Sequence, residues 1–377
     1  MQIQTQNPLN AEFKRENPRY IKEQLITYIG NKRKLLSFIE KAIIEAQQRN
    51  PGLDQRFADV FAGTGVVSSM ARQYFKNLYI NDLESYSALT NRVYHTNKSE
   101  VDEAQYTEEL RQLHADIEDS FRSGFITELY APKDEKSITK EDRVFYTRRN
   151  ARYIDTARQL IAEKKYDYSC FFIASLIQQA SVHTNTSGVF KGFYKNRQGI
   201  GQFGGDRRNA LARITTNIQI EPIILSEFER EVSVFNLDAE EFLEQCGNID
   251  IAYFDPPYNQ HPYGSNYFML NTILEYQRPS SISRVSGIPN DWKKSQYNQR
   301  AHAKSALFSA LRKCSAKVIL LSYNSEGYIP VDELIEEASE LGAVKRFDEK
   351  YNTFRGCRNL RERSAHVTEH LIMIERT

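Results

Sequence analysis

The chain has 377 residues, enough to bury one large core or two smaller ones. Its 50 Lys and Arg are balanced by 49 Asp and Glu, so overall charge selects no partner and only the distribution of charge can. No apolar run reaches membrane-spanning length and the polar start MQIQTQNPLNAEFKREN is no signal peptide, which predicts a soluble cytoplasmic protein with no membrane partner. Cys170, Cys246, Cys314 and Cys357 are far apart, with no CxxC pair and no His nearby, so they read as thiols in a reducing compartment and no metal site is expected.

In chain order, residues 1–24 read as a polar arm, ordered on contact with something else. TYIGNKRKLLSFIEKAIIEAQQ then places Leu35, Leu36, Ile39, Ala42, Ile43 and Ala46 at helical spacing, and Pro51-Gly52 ends that helix. RFADVFAGTGVVSSMARQYF reads strand, glycine turn, helix, and NLYINDLE follows as a second short strand. A strand–loop–helix–strand unit of this kind is the signature of a parallel, doubly wound α/β sheet. From about Ser85 to Glu231 charged segments with helical spacing dominate, and the first strand signal to return is IEPIILSEF. EVSVFNLDAEEFL, DIAYFDPPYN, AKVILLSYN, GAVKRFDEKYNTF and VTEHLIMIER resume strand logic, with the helix-like HAKSALFSALRKC among them. The expected fold is therefore a doubly wound, mostly parallel α/β sheet carrying a mainly helical insertion. The expected divisions are a 1–24 arm, a catalytic domain built from 25–90 and 231–377, and an insertion over 91–230.

In DVFAGTGVVSS, Gly63 and Gly65 stand where a strand turns sharply into a helix, and glycine there permits positive φ and close approach of a ligand. A triphosphate loop needs Gly-Lys-Ser/Thr, but Val66-Val67 follow Gly65. A dinucleotide loop prefers a third glycine where Ser68 stands. S-adenosylmethionine, which has no phosphate, remains. Asp82, 23 residues after Asp59 at the end of the second strand, has the position of an acid that accepts hydrogen bonds from ribose hydroxyls. A plain tight turn with Asp82 as a helix cap is the alternative.

DIAYFDPPYNQ delivers Asp255, Pro256, Pro257 and Tyr258 to the carboxyl end of an apolar strand, where ligands of open parallel sheets bind. The prolines fix φ and offer carbonyls without N–H groups, so the corner is rigid and rich in acceptors. Such a corner suits an exocyclic amino group on a nucleobase. The Asp255 carboxylate and the Pro256 carbonyl can bind its two hydrogens, and Tyr258 can stack on a base turned out of its helix. A capped strand-end turn is the competing reading of the tetrapeptide alone.

Charge is uneven along the chain. Arg143–Thr215 holds 13 Lys and Arg against 4 Asp and Glu, a local net of +9. Arg148, Arg149, Arg152 and Arg158 lie among aromatics, and Lys191, Lys195, Arg207 and Arg208 lie in a glycine-bearing stretch. Both patterns suit a phosphate backbone. A second basic loop carries Arg355, Arg358, Arg361 and Arg363. His183 fits a hydrogen-bonded structural role better than a base contact.

These separated motifs resemble the alpha-class (Dam-like) DNA adenine methyltransferases of restriction–modification systems. TYIGNKRKLL is similar to the family's first cofactor motif, although Tyr28 and Gly30-Asn31 stand where Trp and Gly-Gly are common. DVFAGTG, FNLDAEEFL and DPPY match in the family's order, as do GSNYFMLNTILEY, LLSYNSEGYI and VFKGFYKNRQGIGQFGGDRRNAL. The resemblance implies a Rossmann-like S-adenosylmethionine-dependent fold and methylation of adenine N6 in double-stranded DNA. It implies that Tyr28 and Lys32 contact the methionine part of the cofactor, that Asp59, Phe61, Gly63 and Gly65 lie beside it, and that Asp82 binds its ribose. Asp238 and Ala239 are implied at its adenine, and Asp255–Tyr258 at the reaction, with Asp255 also near the cofactor. The insertion is implied to recognise the target, and a cognate restriction endonuclease acting separately is an implied partner in a bacterial or phage setting. An RNA base methyltransferase and a catalytically inactive nucleic-acid-binding relative remain the alternatives at this point.

Overall fold

A computed structural model describes residues 15–24, 26–352 and 366–376. The loop bearing Arg355, Arg358, Arg361 and Arg363 lies outside these described residues.

The described residues form seven strands: β1 (Arg56–Asp59), β2 (Asn77–Asn81), β3 (Glu231–Phe235), β4 (Ile251–Phe254), β5 (Val318–Asn324), β6 (Ala343–Asn352) and β7 (His366–Glu375), of which β4 and β5 are the most apolar. They form one sheet in the order β3-β2-β1-β4-β5-β7-β6. The first five strands pair in parallel, and β7 runs antiparallel to both β5 and β6. After β1 the chain winds outward through β2 and β3, then returns to place β4 on the other side of β1. This reversal makes the carboxyl ends of β1 and β4 the switch point, the natural ligand crevice of such sheets.

Side chains alternate between the two faces of the sheet. Phe57, Ile251, Tyr253, Val318 and Leu320 pack with Ile39, Ile43, Val67 and Met70 of the helices Leu36–Arg49 and Val66–Ala71. Ala58, Ala252, Phe254, Ile319 and Leu321 pack on the other face with Phe242, Leu307, Leu311 and Leu334 of the helices Ala239–Gln245, Ala303–Lys313 and Val331–Ser339. Each fully buried Leu or Phe contributes about 1.5–3 kcal/mol, so both faces are covered as a parallel sheet requires.

The helices Glu103–Asp119, Phe125–Tyr130, Arg148–Lys164 and Ser169–Val182 share a separate apolar core, which includes Leu113, Ile126, Ile154, Phe172 and Ile177. The helix Phe268–Glu275, which follows the Asp255–Tyr258 corner, places Met269, Leu270 and Ile273 in that same core. Asp155 is buried there but satisfied: it accepts N–H bonds from Gly124 and Thr127, both 2.8 Å, and the Tyr276 hydroxyl at 2.7 Å.

Two segments depart from expectation. IEPIILSEF forms no strand and joins no sheet. Side chains take the backbone bonds that a ladder would: Ile220 N donates to the Tyr153 hydroxyl, Glu221 N to Ser175 Oγ, Ile223 N to the Tyr106 hydroxyl and Ile224 N to Gln24 Oε1. Pro222 has no N–H to give. The described end of the polar arm is packed rather than free, with Pro18–Lys22 helical, Asn17 capping it and Tyr20 buried. Among the described residues no helix is long and apolar enough to cross a membrane.

Candidate active site

A cleft opens at the switch point. Acids close the carboxyl ends of four neighbouring strands around it: Asp59 on β1, Asp82 after β2, Asp238 after β3 and Asp255 after β4. Tyr28, Lys32, Phe61, Gly63, Ala239 and Pro257 also line it. Thus ten of the predicted residues meet in one crevice; Gly65, Pro256 and Tyr258 flank it without lining it.

The glycine turn is built as its residue types require. Gly63 and Gly65 have φ of +52° and +73°. A Cβ on Gly65 would lie 1.9 Å from Asn91 Oδ1, and one on Gly63 would lie 3.0 Å from the Tyr28 ring. Tyr28 stacks at 4.9 Å on Tyr263 and at 4.6 Å on Tyr267, so an aromatic wall faces the turn. Asp82 Oδ2 accepts from Gly63 N at 2.7 Å and Oδ1 from Glu84 N at 2.8 Å. The carboxylate therefore organises the turn, and only its remaining lone pairs face the cleft. Burial raises its pKa, while these two N–H groups pull it back.

Asp59 is held by Ser68 Oγ at 2.6 Å through Oδ2, whereas Oδ1 is buried without a hydrogen-bond partner among the described residues. Burial pushes its pKa up to about 7, partly opposed by Ser68. An orphaned buried acceptor on the cleft wall fits an incoming ammonium. Farther along, Asp238 caps the helix Ala239–Gln245 through Glu240 N at 3.0 Å. Phe61 meets the Tyr297 ring edge-on at 5.0 Å, and with Leu237 and Ala239 they give the cleft an apolar wall. The wall, the acids and the orphaned Asp59 oxygen together suit S-adenosylmethionine, whose adenine, ribose and amino-acid ends need those surroundings in turn.

At the corner, Asp255 is 18% exposed and its Oδ1 lies 3.0 Å from Lys32 Nζ. Lys32 is itself 4% exposed and reaches Glu369 Oε1 at 2.6 Å. Burial pushes the Asp255 carboxyl up to about 6, although Lys32 works the other way. Burial disfavours the Lys32 charge, but Asp255 and Glu369 outweigh it and hold the ammonium well above its usual range. Tyr258 flanks the cleft, its ring 5.8 Å from Tyr323 in edge contact, and its carbonyl accepts from Tyr328 N at 3.0 Å.

The basic candidates divide. Arg148 and Arg149 are exposed on the first turn of the helix Arg148–Lys164, while Arg152 lies 4.7 Å over the Phe121 ring. None of the three lines the cleft. Arg158 is buried and donates to the carbonyls of Ile273 and Leu274 at 2.8 and 2.9 Å, so it ties two helices and is unavailable to phosphate. Lys191, Arg207 and Arg208 are exposed and Lys195 half-buried on a segment folded back by the Lys195–Gly201 bridge. That segment is fastened beside the corner through Phe190 N to Asn266 O at 2.7 Å. His183 Nδ1 pairs with Arg213 O at 2.6 Å, a structural role.

Sequence reading missed Glu84, Lys293, Tyr297 and Glu369. Glu84 lines the cleft, accepts from Asn271 at 2.8 Å, and is pushed up to about 7 by burial and then by Asp82. Lys293 spans to Leu83 O at 3.0 Å. For Glu369 a signal existed: an acid inside the apolar strand VTEHLIMIE is an exception that calls for a partner.

Compared with known proteins, residues 28–336 match the family described as D12 class N6 adenine-specific DNA methyltransferases. Type II methyltransferase M.NlaIII of Neisseria lactamica is 27% identical over 93% of this chain and 100% of its own length. Type II methyltransferase M.CviAII of Paramecium bursaria Chlorella virus 1 is 30% identical over 84% of this chain and 89% of its own length. Modification methylase StsI of Streptococcus sanguinis is 26% identical over 81% of this chain and 45% of its own length.

Proposed function

Because the chain belongs to the D12 class N6 adenine-specific DNA methyltransferases, we propose that its switch-point cleft carries the methylation of adenine, with Asp255 as the acceptor that orients the adenine amino group. The enzyme acts on DNA and uses S-adenosylmethionine. When bound, that cofactor supplies a methyl group activated on a sulfonium.

The chain's own residues do the rest. Tyr28, Lys32, Asp59, Phe61, Gly63, Gly65, Asp82, Asp238 and Ala239 hold the cofactor: Asp59 Oδ1 for its ammonium, Asp82 for ribose hydroxyls, and Asp238 with the apolar wall of Phe61, Ala239 and Tyr297 for its adenine. The amino nitrogen of a target adenine is a poor nucleophile because its lone pair is delocalised into the ring. The Asp255 carboxylate and the Pro256 carbonyl take its two hydrogens and draw it toward tetrahedral geometry. Pro257 keeps the corner rigid and Tyr258 offers a ring to the flipped base. Positive charge then grows on this nitrogen beside a carboxylate, and Asp255 receives the proton that the methylated amine must lose.

The observation that carries the reading is the placement of Asp255: at a strand end in the cleft, partly exposed, with Oδ1 pinned by Lys32. Residues 25–90 and 231–377 form the catalytic domain in this reading and 91–230 recognise the target. Arg148, Arg149, Arg152, Lys191, Lys195, Arg207, Arg208, Arg355 and Arg358 serve the DNA backbone. In this reading the enzyme works in the cytoplasm within a type II restriction–modification system, with a cognate endonuclease acting separately; the relatives' names, type II methyltransferases and a modification methylase, support that setting. Incubation with labelled cofactor and DNA lacking adenine methylation, followed by single-molecule sequencing, tests the assignment. N6-methyladenine at one recurrent site is expected; label on another base, or none, refutes it.

A further inference from the structure

Glu369 is an acid in the middle of β7, and its side chain is 1% exposed. An isolated carboxylate at such depth is costly, so its surroundings must hold its charge. They do: Ser322 Oγ donates to Oε1 at 2.6 Å, Asn324 Nδ2 to Oε2 at 3.2 Å, and Lys32 Nζ lies 2.6 Å from Oε1. Asn324 is the register partner of Glu369 across the β5–β7 pair, so the sheet itself aims this carboxylate. On its other side Lys32 reaches Asp255 at the longer distance of 3.0 Å.

We propose that Glu369 is a positioning residue for methyl transfer: it anchors the Lys32 ammonium from inside the sheet, so that Asp255 stays oriented toward the adenine amino group rather than closing on Lys32. The proposal rests on the reading of Asp255 given above. Of the two carboxylates that share this ammonium, only Asp255 is partly exposed and able to meet a substrate. Without Glu369, Lys32 and Asp255 would form a closed neutral pair. The carboxylate would then be turned toward Lys32 and would stabilise the growing positive charge on the amino nitrogen less.

The two acids differ in their response to the shared cation. Burial works against the charge of Glu369, but Lys32, Ser322 and Asn324 more than offset it and hold its carboxyl below the usual range. Asp255 is raised by burial, Lys32 opposes the rise, and Glu369 adds to it. The other groups facing Asp255 are Asp59 on β1, Tyr253 on β4 and Tyr263 on the following segment, all held above their ordinary pKa chiefly by burial. Replacing Glu369 by a neutral isostere removes the negative neighbour. The acid limb of activity, where Asp255 becomes protonated, must then move to lower pH even as the rate falls.

The test is single-turnover methyl transfer from labelled cofactor to unmethylated genomic DNA, from pH 5 to 9, with wild type, Glu369→Gln, Ser322→Ala and Asp255→Asn. Cofactor affinity is followed in parallel by calorimetry. Glu369→Gln is expected to slow transfer by on the order of 10–100-fold through misplacement of Asp255, with cofactor affinity retained and the acid limb moved down. Ser322→Ala, a milder change, should move the same limb in the same direction by less. A wild-type rate in Glu369→Gln, or a slowed rate whose acid limb stays in place, overturns the proposal. If Glu369→Gln does not fold, an unmoved limb in Ser322→Ala overturns it instead. Full activity in Asp255→Asn would refute the underlying reading of Asp255; loss there with a wild-type profile in Glu369→Gln would refute this proposal alone.

Discussion

The backbone N–H of Gly63 donates to Asp82 Oδ2 at 2.7 Å, tying the turn after β1 to the acid that follows β2. Gly63 reaches this geometry at φ +52°, and Gly65 follows at φ +73° with Asn91 Oδ1 where a Cβ would stand. Gly65→Ala should therefore cost about 1–3 kcal/mol of stability from the backbone alone, and more from the displaced Asn91. Gly63→Ala presses on the Tyr28 ring and should weaken cofactor binding more than it lowers the melting temperature. Thermal unfolding and titration calorimetry on the two variants separate these effects.

Cofactor binding should depend on pH through Asp59. Its carboxyl is pushed up to about 7 by burial, and its free oxygen is the proposed partner of the cofactor's ammonium. An ammonium binds the ionised form better, so affinity should rise as pH increases through 7 and binding near pH 6–7 should release a proton. Calorimetry in buffers of different ionisation enthalpy reads that proton directly. Asp59→Asn should flatten the dependence.

Asp255→Asn keeps the shape of the corner and removes its charge. Transfer should fall by roughly 10²–10³-fold, the range for losing one preorganised electrostatic contact, with cofactor affinity little changed. In the wild type, activity should fall as pH drops through about 6, because the carboxyl held there by burial becomes protonated and can no longer accept both charge and hydrogen. The pH dependence of single-turnover rates checks both statements.

Two arginine changes on one helix should behave oppositely. Arg148→Ala with Arg149→Ala removes two exposed cations and should weaken DNA binding and lower its salt slope by up to about 2. Arg158→Ala should leave the salt slope alone yet destabilise the protein by ~3 kcal/mol, since the carbonyls of Ile273 and Leu274 lose a buried charged donor. Fluorescence anisotropy over a salt series and thermal melts distinguish the two.

Local chemistry was legible without coordinates. The glycines that must take positive φ, the acids ending successive strands, the prolines that stiffen the corner and the period-2 apolar runs each depend on neighbours in the chain, and the parallel α/β sheet follows from their order. IEPIILSEF shows the limit: its composition is that of a strand, but Tyr153, Ser175, Tyr106 and Gln24 claim its N–H groups, and none of them is nearby in sequence. Arg158 shows the same limit for charge, because a cation becomes a helix tie only where another helix brings carbonyls to it.

By itself the sequence determined the class of fold, the crevice and the residue types that furnish it, since turns, periodicity and strand-end acids are set by short-range sterics and hydrogen bonding. Tertiary structure alone decided which charges are shared. Lys32, Asp255 and Glu369 come from three distant parts of the chain, and they meet because β7 runs antiparallel beside β5 and carries an acid inward to the cation that already faces the corner. Coulombic coupling depends on distance in space and on burial, and neither is encoded in the spacing of residues along the chain.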